Sequence, residues 1–220
     1  IHMIGDKLPK HRKVYFDATT KDLGDIMIPS MQSIDEDGCV RMIPNEELGI
    51  HLDGPIILML DEIGKANQAV KNAMLRLIQE RQIGSYSLHP DSVVFATTNK
   101  GSEGVGDILP AHVRNRMIVV QIKKTDHMDW IEWGINNGID HSLLGWVKDN
   151  PHLMASFEDI KDPSENPYIF DPRAQRAAFV TPRSLHSASD ILKSREGIDD
   201  ITLTAALMGT IGDRGAMDLM

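Results

Sequence analysis

The run Ile56-Ile57-Leu58-Met59-Leu60 constrains this chain more than any other stretch. Five apolar residues without alternation suit a strand buried on both faces, the condition of a parallel sheet covered by helices. Asp61 and Glu62 come immediately after it. Ligands in α/β sheets gather at the carboxyl ends of the strands. An aspartate there is the kind of residue that fixes Mg2+ in nucleoside triphosphatases. A second carboxylate beside it can polarise an attacking water. Taken alone, the same pair also suits a helix start, where acids meet the positive end of the dipole.

The flanking pattern is α/β. Val14-Tyr15-Phe16-Asp17 reads as a short buried strand, with Thr19 and Thr20 able to cap a turn or a helix start. Asn67 is a fitting N-cap for a helix to about Arg81, since Val70, Met74, Leu77 and Ile78 show i, i+4, i+7, i+8 spacing. Ser33 to Met42 predicts a hairpin turning at Asp37-Gly38, and Gln82 to Leu88 a second one at Gly84-Ser85. Val93 to Ala96 predicts another buried strand, ending in Thr97-Thr98-Asn99. A glycine-rich stretch leads to Pro110 and a short helix carrying Arg114 and Arg116, and Met117 to Ile122 predicts a last strand. After Lys124 the pattern is helical. Asp126, Asp140, Thr181 (with Pro182 at the first helical position) and Asp199 or Asp200 are the expected caps, and 154–171 reads as loop. The domains expected are 1–124, α/β, and 125–220, all helical.

Composition excludes several classes. The 220 residues carry a formal net charge of −9, a field that disfavours phosphate backbones, so nucleic acid is not the default partner. No apolar run is long enough to span a membrane. Cys39 is the only cysteine, which excludes an internal disulfide and fits a reducing compartment. The nine histidines show neither an H-x-x-x-H pair nor a Cys/His cluster, so a zinc site is not expected. The acids near Gly38 fail as a calcium loop, because Pro44 falls where the bidentate glutamate belongs. The 12 methionines read as core filler.

Four features in order carry the chemistry. They are Asp61-Glu62, Asn99 at the end of a second strand, the arginines of Leu109-Pro-Ala-His-Val-Arg-Asn-Arg116, and Thr181-Pro-Arg183-Ser184 opening a helix. An amide can orient a water, and a guanidinium suits phosphate. Each alone has a plain reading as cap, turn or surface charge. In this order the chain resembles the AAA+ ATPases, and among them is most similar to the MoxR-type group. Pro55 to Ile63 looks like that family's Walker B, Val93 to Asn99 like its sensor 1 strand, Leu109 to Arg116 like its arginine-finger segment, and Thr181 to Ser184 like sensor 2 on a helical lid. The two hairpins sit where this clade carries its helix-2 insert and pre-sensor hairpin.

The resemblance implies an α/β, P-loop NTPase-like parallel sheet with helices, incomplete at its N-terminus, and after it a small all-helical lid. It implies ATP and Mg2+ as ligands. Asp61 would bind Mg2+, Glu62 would be the catalytic base and Asn99 would position the water. Arg116, with Arg114 as the second candidate, would reach the γ-phosphate of a neighbouring subunit, and Arg183 would contact nucleotide from the lid. A finger supplied in trans implies an oligomer, and the resemblance implies a ring of self-associated subunits, usually six. The family partner is often a protein with a von Willebrand A domain, remodelled or matured at the expense of ATP in the cytoplasm.

One family element is missing. G-x-x-x-x-G-K-[ST] occurs nowhere: around Gly64-Lys65 the first glycine position holds Met59 and the last position Ala66. Only 13 residues precede Val14, where a strand–loop–helix unit needs about 30. The chain is therefore expected to be truncated and inactive alone. The lost strand would lie between those at 93–96 and 117–122. A non-catalytic relic serving as an interaction module remains open, as does a DNA-processing AAA+ motor, which the acidic charge disfavours.

Overall fold

The computed structural model describes residues 1–31, 38–99, 115, 117–174 and 176–220. The chain forms two compact units, 1–120 and 121–220. The fold is α/β in the first unit and helical in the second.

The first unit contains α1 (His2–Lys7), β1 (Arg12–Asp17), β2 (Met27–Ser30), β3 (Arg41–Pro44), β4 (Ile56–Asp61), α2 (Gln68–Glu80), β5 (Gln82–Ile83), β6 (Tyr86–Ser87) and β7 (Val93–Ala96). Strands β1, β4 and β7 form a parallel sheet in that order. Its register sets Tyr15 opposite Met59, Asp17 opposite Asp61, and Leu60 opposite Ala96. As expected of a strand covered on both faces, Ile56, Ile57 and Leu58 are all at most 1% exposed. Leu58 and Leu60 join Phe16 and the Val70, Met74 and Leu77 stripe of α2 in one core.

Local chemistry fixes these elements. Asn67 caps α2 by accepting from the Val70 amide at 2.9 Å. The helix stops at Arg81, whose φ of 57° is left-handed. The Arg81 guanidinium Nη2 donates to the carbonyls of His89, Pro90 and Ser92 at 3.0, 3.2 and 2.7 Å, fixing the approach to β7. The small hairpin β5–β6 turns at Gly84 with φ +57°, as its sequence predicts. The other hairpin is displaced from its expected place. Its paired strands are β2 and β3, with Ser30 opposite Arg41. Gly38 has the positive φ of a turn, while Ser33 to Asp37 lie outside the described residues.

The strand expected over Met117–Ile122 does not form. Ile118, Val119, Val120 and Ile122 are 95, 62, 75 and 87% exposed. β-Branched residues favour a strand only where a neighbour supplies ladder bonds and a face to pack on. Among the described residues β7 pairs with β4 alone, and no strand lies beside this run. A short helix that the sequence reading does not expect, α1, precedes the sheet.

The second unit contains α3 (His127–Asn136), α4 (His141–Asp149), α5 (Pro182–Lys193) and α6 (Asp200–Leu219). Asp126, Asp140, Thr181 and Asp199 cap them as the sequence predicts, Thr181 in a capping box with Ser184. Trp130, Leu143, Val147, Leu153, Leu185, Leu207 and Ile211 belong to its core. The long connection before α5 is braced by Arg176, whose Nη1 donates to the carbonyls of Asn166 and Ile169 at 2.9 and 2.6 Å. No helix of the described residues is long and apolar enough to cross a membrane.

Candidate active site

The carboxyl ends of β4 and β7 bring Asp61, Glu62, Thr97 and Asn99 together. Thr97 is the organising residue. Its N–H donates to the Leu60 carbonyl at 2.9 Å and its carbonyl accepts from Ile63 N–H at 3.0 Å. Its hydroxyl Oγ1 accepts from Glu62 N–H at 3.2 Å and donates to Asp61 Oδ1. The end of β4 and the chain leaving it are thus tied to Thr97 at four successive residues, Leu60 to Ile63.

That tie holds Glu62 at φ 53°, ψ 38°, the left-handed region that glycine favours. Such a conformation costs about 1–3 kcal/mol in a residue with a Cβ and collects at functional sites. It turns the carboxylate toward Asn99, whose Nδ2 donates to Glu62 Oε1 at 3.1 Å. Lys65, one short turn further on, pairs with Glu62 Oε2 at 3.1 Å.

Asp61 accepts from Tyr15 as well, through Oδ2, with the phenol oxygen at 2.8 Å. The Thr97 hydroxyl is the foremost cause holding the Asp61 carboxyl below its ordinary range, with Tyr15 adding to it against partial burial. Asp61 is therefore an anion at neutral pH. Conversely, the bond to Asp61 raises the Tyr15 phenol, which stays protonated.

These donors suit one role for Asp61. Among the described residues no group of three or more His, Cys, Asp or Glu side chains is placed to hold a metal by itself. Mg2+ is ordinarily held by one or two carboxylates, with waters and substrate phosphates completing its octahedron. An ionised aspartate at a strand end fits that share.

No protein-family model and no curated protein matches this sequence. Solved structures do resemble it in chain course. One mutant form of Thermotoga maritima RuvB aligns over 100% of this chain and 55% of its own, at 15% identity and a TM-score of 0.45. A second mutant form of the same protein gives 94%, 56%, 16% and 0.46 in the same order. NtrX from Brucella abortus, in complex with ADP, gives 96%, 55%, 16% and 0.36. The chain spans about half the length of these structures. Likenesses of this size leave the functional reading to the site itself.

Of the residues singled out in the sequence, Asp61, Glu62 and Asn99 come together. Arg114, Arg116 and the glycine-rich stretch lie outside the described residues. Arg183 stands exposed in the first turn of α5, in the second unit. Tyr15, Thr97 and Lys65 are site residues that the sequence pattern does not single out. The signal for Lys65 is its place three residues after Glu62, within reach on one turn. Thr97 has the signal of a hydroxyl at a strand end. For Tyr15 there is only its polar handle between the apolar Val14 and Phe16 of β1.

Proposed function

We propose that this chain carries the hydrolytic acid pair of an AAA+ ATPase of MoxR type, with 1–124 as part of its α/β core and 125–220 as its lid. The observation that carries the reading is the bond between Asn99 Nδ2 and Glu62 Oε1, which fixes a strained acid next to an ionised Asp61. When bound, Mg2+ with ATP would supply charge neutralisation at the transferring phosphate. Asp61 would hold that cation. Glu62 would take a proton from water through a carboxylate oxygen, its rotamer set by Asn99. Arg183 would meet nucleotide from the lid, and Arg116 or Arg114 would act on a neighbouring subunit in a ring of six. The work done would be remodelling or maturing a partner, with a von Willebrand A domain protein as the candidate client.

The test is a nucleotide titration on this chain and on a longer product of its gene that supplies a phosphate loop, with hydrolysis assays on both. Binding and hydrolysis by the longer product, abolished by Glu62→Gln in the hydrolysis step only, are expected. A longer product that neither binds nor hydrolyses ATP overturns the reading. It would favour the non-catalytic interaction module, with which the pairing of Glu62 by Lys65 and Asn99 is also compatible.

A further inference from the structure

Glu62 is held by two donors that come from different parts of the chain. Asn99 Nδ2, just past the end of β7, lies 3.1 Å from Oε1 and 3.4 Å from Oε2. Lys65 Nζ, in the turn after β4, lies 3.1 Å from Oε2. One donor leaves a carboxylate able to pivot about it. Two donors from separate segments fix both where the group sits and how its plane is turned. Proton transfer from water depends on that orientation, because the accepting oxygen must stay within hydrogen-bond reach of the proton it takes.

An ordinary surface lysine gives little restraint, since an ion pair between two mobile side chains costs the entropy of both. Lys65 is rooted differently. Its N–H donates to the Glu62 carbonyl at 2.9 Å and closes the short turn between them. Ile63 and Gly64 inside that turn are buried, as is Ala66 after it. Ile63 N–H is tied in turn to the Thr97 carbonyl. Both side chains of the pair therefore leave a fixed backbone, and only their torsions remain to be ordered. At 31% and 28% exposure, the Lys65 and Glu62 side chains are also partly shielded from water and salt. Behind the Thr97 hydroxyl, Tyr15 and the Glu62 amide, the Lys65 charge helps to hold the Asp61 carboxyl down against partial burial. The ammonium thus acts on both acids.

We propose that Lys65 is a positioning residue for water activation: together with Asn99 it clamps Glu62 in the orientation from which the acid takes a proton. The proposal rests on reading Glu62 as the base of a hydrolytic site. Lys65 touches that base and not the reacting atoms.

The experiment compares wild type, Lys65→Met, Lys65→Arg, Asn99→Ala and the double variant Lys65→Met/Asn99→Ala, in this chain and in the longer gene product. Methionine keeps most of the apolar stem and removes the charge, and an unchanged urea midpoint shows that the fold is intact. In this chain, labelled with 13C at glutamate, the three-bond couplings of the Glu62 side chain report its rotamer. Wild type should show the values of a single rotamer, Lys65→Met averaged values, and Lys65→Arg values near wild type. In the longer product Lys65→Met should lower kcat roughly twofold to fivefold at unchanged KM, the worth of a partly exposed ion pair. Lys65→Arg, whose guanidinium still reaches the carboxylate, should recover most of the loss. The double variant should lose less than the product of the two single losses, because both donors act through one carboxylate. The role is overturned by a kcat that holds or rises in Lys65→Met, by a loss that falls on KM, or by couplings that do not change. An arginine no better than methionine, or single losses that multiply, overturns it equally. A longer product that hydrolyses no ATP overturns the ATPase reading and this role with it, a failure told apart by couplings that still follow the expected pattern.

Discussion

Asn99 reaches across from the end of β7 to place its amide nitrogen 3.1 Å from Glu62 Oε1, joining residues 37 positions apart. The contact exists because β4 and β7 are parallel neighbours, so that both chains emerge at the same edge of the sheet. The bond fixes which way a strained acid points. Asn99→Ala should therefore slow hydrolysis by the longer gene product at least tenfold while nucleotide affinity stays within a factor of two or three, since positioned proton transfer is worth roughly 10²–10⁴-fold. Steady-state hydrolysis with a separate nucleotide titration checks this. A large loss of affinity with unchanged turnover would contradict the assigned role.

Thr97→Val removes the foremost cause of the lowered Asp61 pKa and leaves the Glu62 amide without its acceptor. A carboxyl lowered in the folded state stabilises the fold above its unfolded value, near 3.8. That stabilisation fades as pH falls through the folded value. The variant should thus be less stable by about 1–2 kcal/mol at neutral pH. The Asp61 share of that gap should close progressively below pH 3.8, leaving the cost of the unpaired amide. Urea denaturation at several pH values measures both. A gap that widens toward acid would show the sign to be wrong.

The legible part of this fold was the part set by local chemistry and period. The apolar run at 56–60 announced a doubly buried strand, and Asn67, Asp126, Asp140, Thr181 and Asp199 each announced a helix start, because a capping side chain acts within three residues of itself. The acid pair was legible for the same reason, lying in one unbroken stretch. What escaped depended on neighbours distant in sequence. Tyr15 meets Asp61 only through the β1–β4 register, 46 residues apart. The run from Met117 has the composition of a strand, yet composition cannot say whether a partner edge lies alongside it.

That run makes a prediction of its own. Ile118→Ser and Ile122→Ser should each change stability by less than about 0.5 kcal/mol, as exposed positions do. Leu58→Ala, with its side chain fully buried in the first core, should cost about 2–5 kcal/mol. Chemical denaturation of the three variants checks the ranking. Serine substitutions that approach the leucine in cost would mean that the run is paired after all.

Gly212 gives the sharpest single test of the second unit. It interrupts α6 with φ 83° and ψ 162°, a conformation closed to residues with a Cβ. A Cβ added there would lie 2.7 Å from the Ala178 carbonyl oxygen, a backbone atom that cannot swing aside. The kink turns the chain so that Ile211, before it, and Gly215 and Ala216, after it, are all buried. Gly212→Ala adds backbone strain to that close approach, and the expected loss is about 2–4 kcal/mol. Gly209→Ala, three residues earlier in ordinary helix with open space at its Cβ, should be neutral or stabilising by up to about 1 kcal/mol. Urea midpoints for the two variants differ in sign if the kink is real. Two alanines of equal effect would mean that α6 runs straight through.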